Sequence, residues 1–223
     1  MHRFIYSVGM KEYSTYIFDL DGTLLDTLGD LAASVNYALR SVELPEHSID
    51  DVRRFVGNGV RLLMVRAIEG GDSNPRFEEA YATFRSHYME HGLDTTQPYP
   101  GIMELLKELK ARGKKIAVVS NKFYDATQEL VKHFFGEYVS VAIGERENIR
   151  KKPAPDTVLE AMRMLGVDKE GAVYIGDSDV DFNTAKNVGI PCVSVLWGFR
   201  DREFLESIGA TTFITKPSQL LEY

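Results

Sequence analysis

Short apolar runs that alternate with helical patterns constrain the fold of this sequence more than any other feature. Between most of the runs, apolar residues recur at helical spacing, as they do from Ile102 to Leu109. Parallel strands need connections of a dozen residues or more, which helices usually provide. The pattern therefore predicts an α/β fold, a three-layer Rossmann-like parallel sheet with helices on both faces. The predicted strands are residues 16–18, 116–119, 139–143, 172–175 and 193–195, with a weaker one at 212–214.

The interval 26–93 breaks this alternation because it contains no convincing strand. Its apolar residues follow helical spacing in three segments, which begin at Leu25, Val60 and Phe77. The proline-containing residues 92–101 are typical of a return linker. We therefore expect an inserted α-helical cap domain of residues 26–93 in a Rossmann-like core of residues 1–25 and 94–223.

Composition and charge narrow the possible partners and compartment. The chain has 26 Lys and Arg against 33 Asp and Glu, a net charge of −7 at pH 7 that does not favour nucleic acid. No apolar run reaches the ~20 residues of a transmembrane helix, and residues 1–9 are too short and mixed for a signal peptide. The single cysteine, Cys192, cannot form an internal disulfide. We expect a cytoplasmic monomer or homodimer with no nucleic-acid and no membrane partner. Met10 offers an alternative start, so the sequence leaves open whether residues 1–9 are native.

Two acidic clusters directly follow predicted strands. Asp19 and Asp21 come after the run at 16–18, and Asp177 and Asp181 come after the run at 172–175. The carboxyl ends of parallel strands meet at one edge of a sheet, where open α/β folds bind ligands. If the two strands are neighbours, about 4.8 Å apart, their carboxylates can reach one cation.

Two further segments supply groups that bind anions. The run at 116–119 ends in Ser120 and Asn121, which offer a hydroxyl and backbone N–H groups at an expected helix start. Lys152 precedes a proline on the loop before the next predicted helix, whereas Lys151 is expected to face solvent. Carboxylates, a hard cation, a hydroxyl and a lysine together favour phosphoryl transfer.

At these residues the sequence resembles the haloacid dehalogenase superfamily. Phosphatases of that family carry DxDGT, a strand-end Ser or Thr, a Lys before Pro, and GDxxxD, and this chain has all four in order. The helical insert lies where the family has its helical cap. Within it, FVGNGV at residues 55–60 is similar to the VGNG loop of the phosphoglycolate phosphatase branch. WGFR at residues 197–200 also suits that branch.

The resemblance implies roles for the four carboxylates. Asp19 would be the nucleophile that accepts the phosphoryl group as an aspartyl phosphate. Asp21 would protonate the leaving oxygen and then deprotonate the attacking water. The side chains of Asp19 and Asp177 and the backbone carbonyl of Asp21 would hold Mg²⁺, and Asp181 would complete the metal site directly or through water.

The resemblance also implies the groups that hold the substrate. Ser120, the Asn121 N–H and Lys152 would bind the transferred phosphoryl oxygens, with Lys152 also neutralising the carboxylates. The expected catalytic residues are thus Asp19, Asp21, Ser120 and Lys152. The expected substrate-binding residues are Thr23, Asn121, Gly57, Asn58 and Gly59.

The implied activity is Mg²⁺-dependent hydrolysis of a small phosphomonoester, with 2-phosphoglycolate as the best candidate substrate. Within the same superfamily, pyrophosphatase, nucleotide or sugar-phosphate phosphatase and phosphoglucomutase activities remain alternatives. A non-enzymatic alternative is a receiver-like phospho-Asp switch or an inactive binding module. A receiver spans only about 120 residues without a helical insert, so the chain length argues against it.

Several candidate residues also have simpler structural interpretations. An acidic turn or calcium loop is the alternative for Asp19 to Gly22, although an EF-hand needs its glycine at a later position. Asp177, Asp181 and Ser120 are also suited to capping helices. We expect Arg53, Arg54 and Arg61 to be solvated helix charges. His87 and His91 are expected to pack in the cap rather than bind zinc. Cys192 is expected to be a core thiol.

Overall fold

Each predicted apolar run forms a strand, and the ends of these strands lie within four residues of the predicted ends. The computed structural model describes residues 12–222, so residues 1–9 and Met10 lie outside the described part. Six strands form one parallel sheet, and two short strands form an antiparallel pair. The strands are β1 Thr15–Phe18, β2 Leu25–Asp26, β3 Gln97–Pro98, β4 Lys115–Phe123, β5 Val141–Glu145, β6 Ala172–Gly176, β7 Cys192–Val195 and β8 Phe213–Ile214.

Helices connect these strands and form the insert. Among residues 12–222, none of the helices is both long enough and apolar enough to cross a membrane. The helices are α1 Leu28–Ser41, α2 Ile49–Phe55, α3 Val60–Ala67, α4 Phe77–His91, α5 Ile102–Ala111, α6 Tyr124–Phe135, α7 Asp156–Leu165, α8 Asp179–Val188 and α9 Arg202–Ser207.

The six-stranded sheet has the order β5-β4-β1-β6-β7-β8, so β1 lies between β4 and β6. Phe18 is paired with Val118 on one side and with Ile175 on the other. Alternate residues of β1 face opposite sides of the sheet. Phe18 joins a hydrophobic cluster with α5 and α6, whereas Ile17 joins one with α7 and α8. The sheet therefore has helices on both faces, which confirms the predicted three-layer α/β fold.

Helices α1 to α4 form a cap with a hydrophobic cluster of its own, which includes Leu39, Met64 and Phe84. The sequence predicts three of these helices but not α2, because only Val52 of the seven residues of α2 is buried. The prediction that Leu25 lies in a helix is wrong, because Leu25 belongs to β2. The helical insert itself is confirmed, while its exact limits at residues 26–93 stay a prediction.

Two short chain segments join the cap to the core. Leu25 pairs with Pro98 and Asp26 with Gln97, so the outgoing and returning segments form the antiparallel pair. The buried carboxylate of Asp30, in the first turn of α1, accepts hydrogen bonds from the backbone N–H groups of residues 95 and 96 and from a threonine hydroxyl. Burial alone would raise the pKa of Asp30, but these hydrogen bonds outweigh it and lower the pKa. These hydrogen bonds therefore fix the first turn of α1 to the segment that returns from the cap to the core.

Strand β4 continues past the predicted end of its apolar run. Its pairing with β5 shifts register between Val119 and Phe123, and the strand then resumes. Helix α6 begins only at Tyr124. The expectation that Ser120 and Asn121 lie at a helix start is therefore wrong, because the irregular pairing keeps both residues in the strand.

Candidate active site

Asp19 and Asp21 follow β1 at the carboxyl edge of the sheet. The Asp19 N–H donates to the Ile175 carbonyl of β6 at 2.9 Å, which extends the strand pairing by one residue. The chain then turns at Gly22, which has φ of +82°. A Cβ at Gly22 would lie 2.5 Å from Oδ2 of Asp177, so this position has room only for glycine.

Asp177 and Asp181 follow β6, the neighbour of β1. Asp177 comes directly after the strand, and its Oδ2 accepts a 2.8 Å hydrogen bond from the Phe199 N–H. Asp181 lies in the first turn of α8, where it forms a capping box with Ser178. Its Oδ2 accepts hydrogen bonds from the N–H and hydroxyl of Ser178, while its Oδ1 faces Lys152. Asp181 thus combines the predicted capping role with a place in the site.

Three of these carboxylates form one compact group. Asp19, Asp177 and Asp181 each offer an oxygen, these oxygens lie within 4.8 Å of one another, and all three residues are buried. Burial and the charge of Asp181 raise the pKa of Asp19 well above its usual value, although Lys152 opposes the change. Burial and Asp181 also raise the pKa of Asp177, to about 7. Like charges at this distance require a compensating cation.

Lys152 supplies one such positive charge. Its Nζ lies 2.8 Å from Oδ1 of Asp19 and 2.8 Å from Oδ1 of Asp181, and it donates to the Tyr174 hydroxyl at 2.9 Å. Burial disfavours the charged form, but Asp181 and Asp19 outweigh it and raise the pKa of Lys152 above its usual value. The side chain of Asn121 holds the backbone of this lysine through two hydrogen bonds of 2.8 and 2.9 Å. Lys152 is therefore charged and fixed in position.

Ser120 and Thr23 are both predicted site residues, but only Ser120 lines the cavity. Ser120 is buried and lines the cavity in front of Asp19, and its Oγ accepts a hydrogen bond from the Lys122 N–H. Thr23 is buried as well, but its hydroxyl donates to Oδ1 of Asp177 at 3.2 Å. Thr23 therefore supports a carboxylate instead of facing the substrate space.

The cap closes the cavity through the loop of residues 57–59. All three residues line the cavity and have positive φ, at 122° for Gly57, 65° for Asn58 and 89° for Gly59. A Cβ at Gly59 would lie 3.3 Å from the Asn121 carbonyl, so the loop approaches the end of β4 closely. The cavity between loop and carboxylates measures about 70 Å³. A space of this size favours a small ligand.

Lys122 and Arg200 belong to the site, although their roles could not be predicted from the sequence. Lys122 lines the cavity, and its Nζ lies 2.9 Å from Oδ1 of Asp21. Arg200 also lines the cavity and donates to the Val56 carbonyl of the cap at 2.6 Å. Each joins segments far apart in sequence. The one available signal was the position of Lys122 directly after the strand-end Ser and Asn.

The arginines of the cap differ in their contacts. Arg54 pairs with Asp51 and Arg61 with Glu78, both at exposed positions, as expected for solvated helix charges. Arg53 instead donates to the Gly198 carbonyl of the core at 3.2 Å. It therefore contributes to the contact between cap and core, because its helix faces the loop that follows β7.

The two histidines and the cysteine have mainly packing contacts. His87 lies 2.9 Å from the Ser34 hydroxyl, and its ring stacks on that of His91 with centroids 4.4 Å apart. Cys192 is half-buried at the start of β7, and burial raises the pKa of its thiol above the usual value. A thiol in this state is a poor nucleophile.

Residues 16–195 match the sequence model of a known family, described as haloacid dehalogenase-like hydrolase. The chain belongs to this family. The match extends from β1 to β7 and so includes the helical insert, both acidic clusters and Lys152. It confirms the resemblance on which the expected roles of these residues depend.

Curated relatives of this haloacid dehalogenase-like hydrolase are similar over most of their length. A phosphoglycolate phosphatase of Aquifex aeolicus (strain VF5) is 35% identical over 185 residues, which cover 82% of this chain and 84% of the relative. Phosphoglycolate phosphatase 1 of Pseudomonas aeruginosa is 36% identical over 190 residues, which cover 82% of this chain and 69% of the relative.

Solved structures share the fold. A Lactobacillus delbrueckii subsp. bulgaricus protein superposes with a TM-score of 0.91 at 35% identity, covering 95% of this chain and 98% of that one. A Haemophilus somnus 129PT protein superposes with a TM-score of 0.87 at 28% identity, covering 96% and 99%. The first is described as a putative and the second as a predicted phosphoglycolate phosphatase. The cap and core of this hydrolase thus have the arrangement found in crystal structures of the family.

Proposed function

We propose that this hydrolase removes the phosphoryl group from a small phosphomonoester, with 2-phosphoglycolate as the best candidate, through an aspartyl phosphate on Asp19. The main support is the buried group of Asp19, Asp177 and Asp181 beside Lys152 at the carboxyl edge of the sheet. The names of the curated relatives support the choice of substrate. The small cavity under the cap supports a substrate of this size.

The residues present fit Mg²⁺ as the cofactor. Oxygens of three buried carboxylates lie within 4.8 Å of one another, and hard oxygen ligands are those that Mg²⁺ prefers. Asp19 and Asp177 would hold the ion with the Asp21 backbone carbonyl, and Asp181 directly or through water. When bound, Mg²⁺ supplies positive charge that lets an anionic carboxylate approach an anionic phosphate.

The protein's own residues then divide the reaction into two steps. Asp19 attacks phosphorus, the bond from phosphorus to the leaving oxygen breaks, and Asp21 gives its proton to that oxygen. Asp21 next takes a proton from a water molecule, which attacks the aspartyl phosphate and releases phosphate. Ser120 and Lys152 bind the oxygens of the transferred group throughout, and their fixed positions lower the cost of orienting it.

The cap supplies the contacts beyond the phosphoryl group. The backbone N–H groups of Gly57, Asn58 and Gly59 are candidates for binding the remainder of the substrate. Closure over the cavity also excludes water from the reacting groups. A cytoplasmic location, a monomeric or homodimeric state and the expected lack of nucleic-acid and membrane partners stay predictions.

The proposed function is tested by phosphate release across a panel of substrates with and without Mg²⁺. The panel contains 2-phosphoglycolate, pyrophosphate, sugar phosphates and nucleotides, and Asp19→Asn is the control variant. We expect 2-phosphoglycolate to give the highest kcat/KM and Asp19→Asn to release no phosphate. A different leading substrate would leave the chemistry in place and contradict the assignment of the cap loop. No release from any substrate by the folded protein with Mg²⁺ would contradict the proposed hydrolysis itself.

A further inference from the structure

Lys122 is a buried ammonium that the two-step reaction above does not use. It lies on β4, two residues beyond Ser120, and is 3% exposed. Its Nζ donates to Oδ1 of Asp21 at 2.9 Å. It also donates to the hydroxyl of Tyr88, which belongs to helix α4 of the cap. One side chain thus joins the expected acid and base of the core to the cap.

The charge of this lysine is maintained by its two partners. Burial disfavours the ammonium form, but Asp21 and Tyr88 outweigh burial and raise the pKa of Lys122 above its usual value. Burial raises the pKa of Tyr88 to about 12, so its hydroxyl keeps its proton. A charged hydrogen bond between buried groups is stronger and more directional than one between exposed groups.

Tyr88 is itself held firmly by the cap. Its ring stacks on Phe84 with centroids 5.7 Å apart and an angle of 4° between the rings, and it is 2% exposed. A second contact from α4 to the same strand lies beside it, where the Arg85 guanidinium is 4.7 Å from the centre of the Phe123 ring. The end of β4 and helix α4 therefore meet at a defined distance when the cap is closed.

We propose that Lys122 is a positioning residue, which orients the Asp21 carboxyl for proton transfer and links that orientation to the closed cap through Tyr88. With Oδ1 of Asp21 engaged by Lys122, Oδ2 is the oxygen that carries the transferable proton. That proton passes from Oδ2 to the leaving oxygen as the phosphorus–oxygen bond breaks, and Oδ2 later accepts a proton from water. Opening of the cap removes the Tyr88 contact and frees the ammonium. This inference rests on the proposed function.

The test compares two small substrates whose leaving groups differ in their need for a proton. The leaving group of 2-phosphoglycolate is an alkoxide, which depends on an acid, whereas acetyl phosphate releases acetate, which does not. The values of kcat/KM for both substrates are measured with saturating Mg²⁺ for the unsubstituted protein and Lys122→Met. Lys115→Met, on the exposed opening residue of the same strand, is the matched control.

We expect Lys122→Met to lower kcat/KM for 2-phosphoglycolate about 100-fold or more and that for acetyl phosphate less than about 10-fold. Lys122→Arg should recover part of the difference, because a guanidinium can still donate to Asp21. Tyr88→Phe keeps the stack on Phe84 and removes only the hydroxyl. It should produce the same preference for acetyl phosphate at a smaller size, and it decides the question if Lys122→Met fails to fold.

An equal loss on both substrates in Lys122→Met and Tyr88→Phe would show a merely structural role and overturn the inference while leaving the proposed function intact. Unchanged kinetics in both variants would overturn it as well. If the unsubstituted protein with Mg²⁺ releases phosphate from neither substrate, the proposed function fails and the role of Lys122 fails with it.

Discussion

Replacing Lys152 with methionine removes the ammonium that two buried carboxylates share. In the structure, Nζ of Lys152 lies 2.8 Å from an oxygen of Asp19 and 2.8 Å from an oxygen of Asp181. Lys152 is 2% exposed, so water cannot replace the lost charge without rearrangement. Removing one partner of a buried ion pair costs about 3–5 kcal/mol, because the other partner is left uncompensated. We expect Lys152→Met to destabilise the metal-free protein by that amount.

Thermal unfolding of the metal-free protein, followed by circular dichroism, measures this loss. For a chain of this size, about 3–5 kcal/mol corresponds to a decrease in Tm of ~6–20 °C. Lys151→Met is the control, because the Lys151 side chain is 43% exposed and lies 3.6 Å from Glu145. A surface pair of this kind contributes about 1 kcal/mol or less.

Adding magnesium chloride extends the same experiment. Because the cation supplies positive charge to the carboxylates, it should raise the Tm of Lys152→Met by more than it raises the Tm of the unsubstituted protein. If Lys152→Met and Lys151→Met lower the Tm equally and magnesium stabilises neither, Lys152 does not compensate the buried carboxylates and the reasoning is refuted.

Three further predictions concern the cap, its linker and the metal site. Gly59→Ala places a Cβ 3.3 Å from the Asn121 carbonyl on a residue with φ of +89°. Steady-state kinetics should therefore show a KM raised about 10-fold or more. Gly113→Ala is the control and should leave KM unchanged, because the space around Gly113 is open. Asp30→Asn should lower the free energy of unfolding at neutral pH by about 1.5–3 kcal/mol in denaturant titrations. This loss should fade as the pH falls through the lowered pKa of Asp30, because the native carboxyl then becomes protonated as well. Since the metal-free pKa of Asp177 is raised to about 7, calorimetry should show Mg²⁺ affinity falling as the pH drops below that value. A constant affinity across this range would contradict the assignment.

The edge of the sheet could be predicted from the sequence because its geometry follows from the strand pattern. Asp19 and Asp177 each come directly after a short apolar run, and parallel strands present their carboxyl ends at one edge. The sequence left open whether the two strands are neighbours. In the structure β1 and β6 are paired directly, which is why carboxylates so distant in sequence form one group.

The features that could not be predicted from the sequence are short elements and contacts between segments far apart in the chain. Helix α2 could not be predicted because it has a single buried residue. The antiparallel pair of β2 and β3 could not be predicted because each strand has only two residues. The position of Lys122 after Ser120 and Asn121 does not reveal its contacts, because its partners Asp21 and Tyr88 lie 101 and 34 residues away along the chain. The prediction that Ser120 lies at the start of a helix is wrong because β4 continues through a register shift in its pairing with β5. Local propensity does not encode such a shift.

The most direct test of the proposed chemistry is to search for a phosphoryl group on Asp19 during turnover. The protein is mixed with 2-phosphoglycolate and Mg²⁺, quenched rapidly in acid, digested and analysed by mass spectrometry. We expect one phosphoryl mass increment on the peptide that contains Asp19, and none in Asp19→Asn or without Mg²⁺. Steady release of phosphate with no increment on this peptide, or with the increment on another residue, would contradict Asp19 as the nucleophile.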